Sequence, residues 1–400
     1  MEALATRRVE TRDTTMRILH TSDWHLGRTL HKAPLVQAQE AAMRQIADIA
    51  ADQRVDLVVV SGDVFDHAVP SAQALELLEE TLYSLLRICP VVVTAGNHDS
   101  LRRLGYGARL MSHRLVLQTT VEAVGTGVSF QDEYGTVRVY PIPYLHPDTA
   151  RYPLAVDPEH PLKPTHHAVL DEAMARVRAD LARHEGARSV VLAHAWVTGC
   201  TGSDSERDVS VGGLGTVSSA VFAGVDYVAL GHLHGPQDVA GAGPTRLRYC
   251  GSPLRYSFSE ADQVKSVTIV DLGAHGVESV QDVPISQPRP MANLRGLMDE
   301  LLDPELFLDA AGAWVSIVVT DDRRPGHMWQ RLQERFPHAL QIRHEPQSQT
   351  AQTIAGPTRE QKPLEVASDF VQYVTNGPIT ADETAAFDAA VQAVREAVRA

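Results

Sequence analysis

The stretch Val91-Val92-Val93-Thr94-Ala95-Gly96-Asn97-His98-Asp99 decides how this chain is read. A short β-branched run closes on a glycine, and then on three side chains able to bind a metal or move a proton. The same design recurs along the sequence. Residues 17–20 run into Thr21-Ser22-Asp23-Trp24-His25, and residues 55–60 into Ser61-Gly62-Asp63. Residues 190–193 end at His194, and residues 227–230 at Gly231-His232-Leu233-His234. Apolar runs of this length, without polar alternation, predict strands covered on both faces. In such sheets the ligand site lies outside the carboxyl ends of the strands. Side chains far apart in sequence are therefore expected along one sheet edge. Asp, Asn and His together give a mixed oxygen and nitrogen donor set that suits Mn, Fe or Zn.

The number of donors argues for two divalent ions. A single catalytic zinc takes about three protein ligands and a water. Here Asp23, His25, Asp63, Asn97, His194, His232 and His234 are all available. Two ions ~3.5–4 Å apart are held most simply by a shared anion. Asp63 is the expected bridge, because it is central and Gly62 lets the backbone turn at the strand end. A hydroxide between the ions is the expected nucleophile, since coordination brings the pKa of water towards ~7. The competing account, core histidines and capping aspartates, leaves several buried polar groups in need of partners.

Asp-x-His, Gly-Asp, Gly-Asn-His-Asp, a lone His and Gly-His-x-His, in that order, resemble the motifs of the calcineurin-like metallophosphoesterases. The likeness runs from Met16 to Ile285. It implies that His98 sits over the scissile phosphate and assists the leaving oxygen. For Asp99 two readings stand: orienting the His98 imidazole, or capping the following helix. Further stretches resemble the SbcD-type nuclease subunits of bacterial SbcCD complexes. They are Ser203-Asp204-Ser205-Glu206-Arg207 followed by Val211-Gly212-Gly213, and Tyr249-Cys250-Gly251-Ser252-Pro253-Leu254 followed by Ser257-Phe258-Ser259-Glu260. The amino-terminal run from Met16 to Gly27 is similar to theirs too, so residues 1–15 read as an extension or as the product of an upstream start.

Length and composition bound the rest. Four hundred residues with 44% hydrophobic content allow one large domain and smaller parts. Cys89, Cys200 and Cys250 lie far apart and read as buried thiols of a reducing cytoplasm. No stretch approaches the ~18 apolar residues of a membrane span. The net charge of −14 counts against a free-standing DNA binder. Arginines and a lysine nevertheless follow two of the motifs: Arg28 and Lys32 after the first, then Arg102, Arg103, Arg109 and Arg114 after His98. They read either as DNA-backbone contacts or as solvated surface. No Gly-x-x-x-x-Gly-Lys-Ser/Thr loop is present, so ATP is not bound by that route.

The expected fold class is α/β, a metallophosphoesterase β-sandwich flanked by helices over residues 16–287. Helices are expected over 35–53, 71–88 and 164–185. The second carries Leu75, Leu78, Leu82 and Leu85, a core stripe or, by resemblance, a homodimer contact. His166 and His167 are expected to be exposed. Strands over 267–271 and 277–283 are expected to complete the second half of the sandwich. A small α+β unit follows over 288–345, with a helix over 294–302, a strand over 314–320, a helix over 328–336 and a strand over 339–343. By resemblance it is a capping domain over the site. Residues 346–362 are polar and aperiodic, a linker. A helical hairpin over 363–400 then carries two apolar stripes, containing Phe370 and Val374, and Phe387 and Val391. So small a unit buries little surface alone. It either packs on its own chain or, by resemblance, docks an SbcC-like SMC-type ATPase.

The resemblance implies a dimetal DNA exonuclease and endonuclease, with Mn2+ the expected ion. It also implies a homodimer within a heterotetramer, in a cytoplasmic, nucleoid-associated setting. A small-molecule phosphodiesterase or phosphoprotein phosphatase on the same fold is the alternative, since fold alone does not separate them.

Overall fold

The computed structural model describes residues 15–111, 114–206, 215–347, 363–375 and 378–399. Most of the expected extension and linker fall outside these residues. So do Arg207, residues 211–213 and the side chain of Val374. The chain divides into two units, Met1–Pro288 and Arg289–Ala400.

In the first unit two six-stranded sheets face each other. One runs in the order Gly276–Pro284, Ser266–Gly273, Met16–Thr21, Leu57–Ser61, Val91–Thr94, Leu115–Gln118. The other runs Gln237–Val239, Arg246–Tyr249, Tyr227–Gly231, Arg188–His194, Gly135–Pro141, Val128–Asp132. The central strands of both are parallel. Ile18, Leu57, Val59 and Val92 from one sheet meet Val139, Val190, Leu192 and Ala229 from the other in a shared core. The alternate residues Leu19, Val58 and Val60 are buried as well, so both faces are covered and the runs show no polar alternation. On the outer face of the second sheet, Val169, Leu170, Ala173 and Val177 of the helix His166–Leu181 pack on Val191, Val228 and Leu230.

Several expectations change. The hairpin of Ser266–Gly273 and Gly276–Pro284 extends the first sheet, not the second, because Ser266–Gly273 pairs antiparallel with Met16–Thr21. In the helix Ala72–Leu86 the buried face is Ala74, Leu77, Thr81, Leu82 and Leu85, which turns Leu75 outward. His166 is buried against Tyr144 at 5.6 Å, not exposed. Cys200 is half-buried, whereas Cys89 and Cys250 are fully buried.

In the second unit, residues 294–302 are not one helix. Met291–Gly296 is a strand, parallel to Trp314–Val319, which in turn pairs with Ala339–His344. Only Met298–Leu302 is helical. Leu294, Leu301, Ile317, Leu332 and Phe336 share the core of this unit. The helices Pro363–Thr375 and Ala381–Arg399 pack on one another. The second opens with Thr380 and Glu383 bonded reciprocally, a capping box. Phe387 and Val391 are half-buried, and Phe370 is 62% exposed.

Candidate metal centre

The carboxyl ends of the central strands deliver the predicted donors to one place. Asp23 and His25 follow Met16–Thr21, Asp63 follows Leu57–Ser61, and Asn97 and His98 follow Val91–Thr94. His194 ends its strand, while His232 and His234 follow Tyr227–Gly231. Three glycines let these ends approach. A Cβ on Gly62 would lie 2.7 Å from His194 Nδ1, one on Gly231 would lie 2.0 Å from Ser61 O, and one on Gly96 would lie 2.1 Å from Asp63 Oδ1.

Four donors have left-handed backbones: Asp23 (φ 54°), His25 (45°), Asp63 (50°) and His232 (105°). Each costs roughly 1–2 kcal/mol for a residue with a Cβ. Neighbouring loops hold them there. Asp23 N donates to Gly62 O and His25 N to Asp63 O, both at 3.0 Å. The Asp23 carboxylate accepts from His232 N at 3.1 Å, and Asp63 Oδ1 accepts from His98 N at 2.8 Å.

Within the cluster, Asp63 Oδ2 lies 3.6 Å from His25 Nε2 and 3.4 Å from His194 Nε2. One oxygen thus serves two donor sets. On one side, Asp23, His25 and His234 converge, with the Nε2 atoms of the two histidines 3.1 Å apart. On the other, Asn97 Oδ1 lies 2.9 Å from His194 Nε2 and 3.2 Å from His232 Nδ1. His194 Nδ1 is 2.9 Å from the Ser61 carbonyl, which can only accept. Nδ1–H therefore donates there, and Nε2 is the nitrogen that faces Asp63. Lone pairs directed at each other and at a carboxylate fit divalent cations.

The buried acids and imidazoles of the cluster shift one another's protonation. Burial would raise Asp63, but the facing His194, His25 and His98 together hold the carboxyl well below its usual range. Burial likewise opposes protonation of His194, yet Asp63 lifts it to about 9. Burial pushes Asp23 up to about 6 and His25 down to about 3.

His98 and Asp99 take different places. The His98 Nδ1 lies 2.7 Å from the Asp66 carbonyl, so Nδ1–H donates there and Nε2 turns to the centre, 4.0 Å from Asp63 Oδ2. Asp99 accepts from the backbone N–H groups of Val64, Phe65 and Gly96, bracing the two ligand loops. Burial and the Asp63 charge push it up to about 7. The helix cap falls to Ser100 instead.

Sequence reasoning missed Asp66 and Gln39. Asp66 also pairs with Arg28, and its Oδ1 faces His25 Nδ1 at 3.4 Å. Gln39 bridges His25 O and Gly27 N. Neither residue sits in an apolar run, so neither carries a sequence signal. The Arg28 guanidinium is engaged by Asp66, by Ser205 O at 2.8 Å and by the Tyr256 ring. Lys32, Arg102 and Arg103 are exposed, with Arg103 Nη1 donating to Ala68 O. Among the described residues, no helix is long and apolar enough to cross a membrane.

Comparison with known families adds two matches. Residues 16–236, more than half of the chain, match the calcineurin-like phosphoesterase model. Residues 287–375 match the SbcD carboxyl-terminal model, described as the type 5 capsule protein repressor C-terminal domain. Among solved structures, a Thermus thermophilus protein is 15% identical, with a TM-score of 0.41 over 68% of this chain and 100% of that chain. A dimetal phosphatase from Danio rerio is 12% identical, with a TM-score of 0.43 over 69% of this chain and 100% of that one. Phosphoesterases of this kind use a dimetal centre, and the donors gathered here are candidates for its ligands. The chain belongs to the calcineurin-like phosphoesterase family and carries an SbcD-type carboxyl-terminal domain.

Proposed function

We propose that the protein is a Mn2+-dependent DNA phosphodiesterase, an exonuclease and endonuclease that works on double-stranded ends and hairpins. The observation that carries the phosphodiesterase reading is Asp63 Oδ2, shared by two donor sets at one sheet edge. Asp23, His25, Asp63 and His234 would hold one cation, and Asp63, Asn97, His194 and His232 the other. Bound there, the pair neutralises phosphoryl charge and lowers the pKa of water towards ~7. The chain's own contribution is orientation and proton handling. His98, fixed at Nδ1 by Asp66 O, presents Nε2 to the leaving oxygen. Asp99 holds the Asp63 and Asn97 loops in register through its three backbone bonds.

The SbcD-type region supports DNA as substrate and an SbcC-like SMC-type ATPase as partner. Residues 288–345 would act as a capping domain that shapes the DNA path. Lys32, Arg102 and Arg103 would contact its backbone. The helical pair would dock the ATPase, with Phe370, Val374, Phe387 and Val391 in the contact. Two copies of this chain would join within a heterotetramer in the cytoplasm, at the nucleoid. Against a small-molecule phosphodiesterase or phosphoprotein phosphatase stands that carboxyl-terminal region, which such an enzyme does not need.

The deciding experiment compares hairpin DNA, blunt duplex ends, bis-p-nitrophenyl phosphate and a phosphopeptide, with and without Mn2+ and the ATPase partner. The reading expects metal-dependent cleavage of DNA, coupled to ATP only when the partner is present. Turnover confined to the small esters or the phosphopeptide would refute it.

A further inference from the structure

Two stretches outside the metal motifs, Ser203–Glu206 and Tyr256–Lys265, close around a single ligand, His234. We propose that Glu260, acting through Ser205, is a positioning residue that fixes the His234 tautomer and so sets how tightly the Asp23–His25–His234 subsite holds a divalent cation. The inference rests on the two-cation reading above.

The argument is one of proton counting. Ser205 Oγ makes a short hydrogen bond with Glu260 Oε1 and lies 2.5 Å from His234 Nδ1. A hydroxyl has one proton to donate, and an ionised carboxylate only accepts. Ser205 therefore donates to Glu260 and accepts from His234 Nδ1–H. That leaves the His234 Nε2 lone pair directed at the centre, 3.1 Å from His25 Nε2. Glu260 is kept as an acceptor by what surrounds it. Lys265 Nζ lies 2.6 Å from its Oε2, and both side chains are fully buried. Tyr256 N donates to the same oxygen at 3.1 Å, and Ser203 Oγ, which lies nearer Glu206 Oε2 at 2.7 Å, is 3.0 Å from Glu260 Oε1.

The same shell grips the His234 backbone. Glu206 Oε1 accepts from His234 N at 2.7 Å, and Lys265 Nζ donates to His234 O at 2.9 Å. Arg28 Nη2 holds Ser205 in turn through its carbonyl. A buried ion pair is poor evidence for stability, because desolvation offsets the attraction and apolar residues would fill the space as well. Its placement behind a ligand gives it another use. A carboxylate behind a metal-binding histidine orients the ring and raises its basicity. Among the described residues, His194 has a backbone carbonyl, Ser61 O, in that position, so the two subsites are built with different ligand strength.

The test uses the full chain and Mn2+ alone as probe. Long-range 1H–15N spectra of the metal-free protein at alkaline pH should show the neutral His234 ring protonated at Nδ1 and not at Nε2. Calorimetric titration should show one of two Mn2+ sites weakened about 10–100-fold in Ser205→Ala and in Glu260→Gln. Ser205→Thr, which keeps the hydroxyl, should restore most of the loss seen in Ser205→Ala. Asp180→Asn, which breaks a buried pair with Arg138, a residue opposite the amino end of the strand Arg188–His194, should leave both affinities unchanged. A His234 proton on Nε2, or Ser205→Ala with wild-type affinity at both sites, would overturn the proposal even if Glu260→Gln fails to fold. A wild-type chain that takes up no pair of ions would instead refute the two-cation reading itself.

Discussion

Replacing Gly96 by alanine should disable the centre without removing a single ligand. The added Cβ would lie 2.1 Å from Asp63 Oδ1 and 2.3 Å from Asp63 N. Real Cβ contacts essentially never fall below 3.0 Å, so these atoms must separate by roughly 0.9 Å, an estimate on the scale at which misplaced groups cost about 10²-fold in rate. Neither obstacle is a flexible side-chain tip. One is backbone, and the other is the carboxylate bonded to His98 N and facing His25 and His194. Overpacking of this kind costs typically 1–3 kcal/mol in stability, which leaves a domain of this size folded. The assay is metal content by mass spectrometry alongside hydrolysis of bis-p-nitrophenyl phosphate. Gly96→Ala should hold fewer than two ions per chain and lose about 10²-fold or more in turnover. Gly312→Ala, whose Cβ meets nothing within 4 Å, is the neutral control. Two ions and wild-type turnover in Gly96→Ala would refute the close-approach reasoning.

Asp63→Ala should abolish turnover and lower metal content, because both donor sets lose their shared oxygen; normal turnover with two ions would count against the bridge. His98→Ala should keep its metals but lose roughly 10²–10⁴-fold in turnover, the usual cost of a lost general acid; loss of an ion would make it a ligand instead. Deleting residues 363–400 should leave simple phosphodiester hydrolysis intact and abolish co-purification with the ATPase, since all the donors lie in the other unit. Stability should fall on the acid side through His20, which is fully buried against Tyr227 and held down to about 3 by burial and then by Arg248. Above pH 6.5 the ring is neutral folded or unfolded. Between 6.5 and about 3 only the unfolded chain gains the proton, so up to about 1.4 kcal/mol is lost per pH unit. In denaturant titrations His20→Gln should flatten that slope, and an unchanged slope would assign it to other groups.

What the sequence disclosed, and what it hid, follows from one physical difference. Strands covered on both faces must be apolar throughout, so the residues 57–60, 91–93 and 190–193 advertise themselves. The donors stand out because polar groups at the end of such a run are unusual. Edge elements lack that constraint. Leu115–Gln118 is only half-buried, and Val128–Asp132 alternates between half-buried and exposed positions, so neither stood out. Met291–Gly296 was open to a helical reading because Leu294, Met298 and Leu301 keep helical spacing, whereas its strand state depends on pairing with Trp314–Val319. That partner is not local in sequence.

The roles of the supporting shell were hidden for a further reason. Asp66, Gln39, Ser205, Glu206 and Glu260 are ordinary polar residues in loops and helix faces. Their roles arise only when the strand ends place them behind a ligand. The left-handed backbones at Asp23, His25, Asp63 and His232 are equally silent, since neither Asp nor His demands that conformation. They are imposed by bonds from neighbouring loops, Gly62 O to Asp23 N and Asp63 O to His25 N among them. The donors were therefore legible one strand at a time, whereas the strain that aims them belongs to the assembled sheet edge. This is why the glycines matter as much as the ligands. Gly62, Gly96 and Gly231 carry no chemistry, yet each lets one strand end lie against another closely enough for a single Asp63 oxygen to face histidines from two different strands.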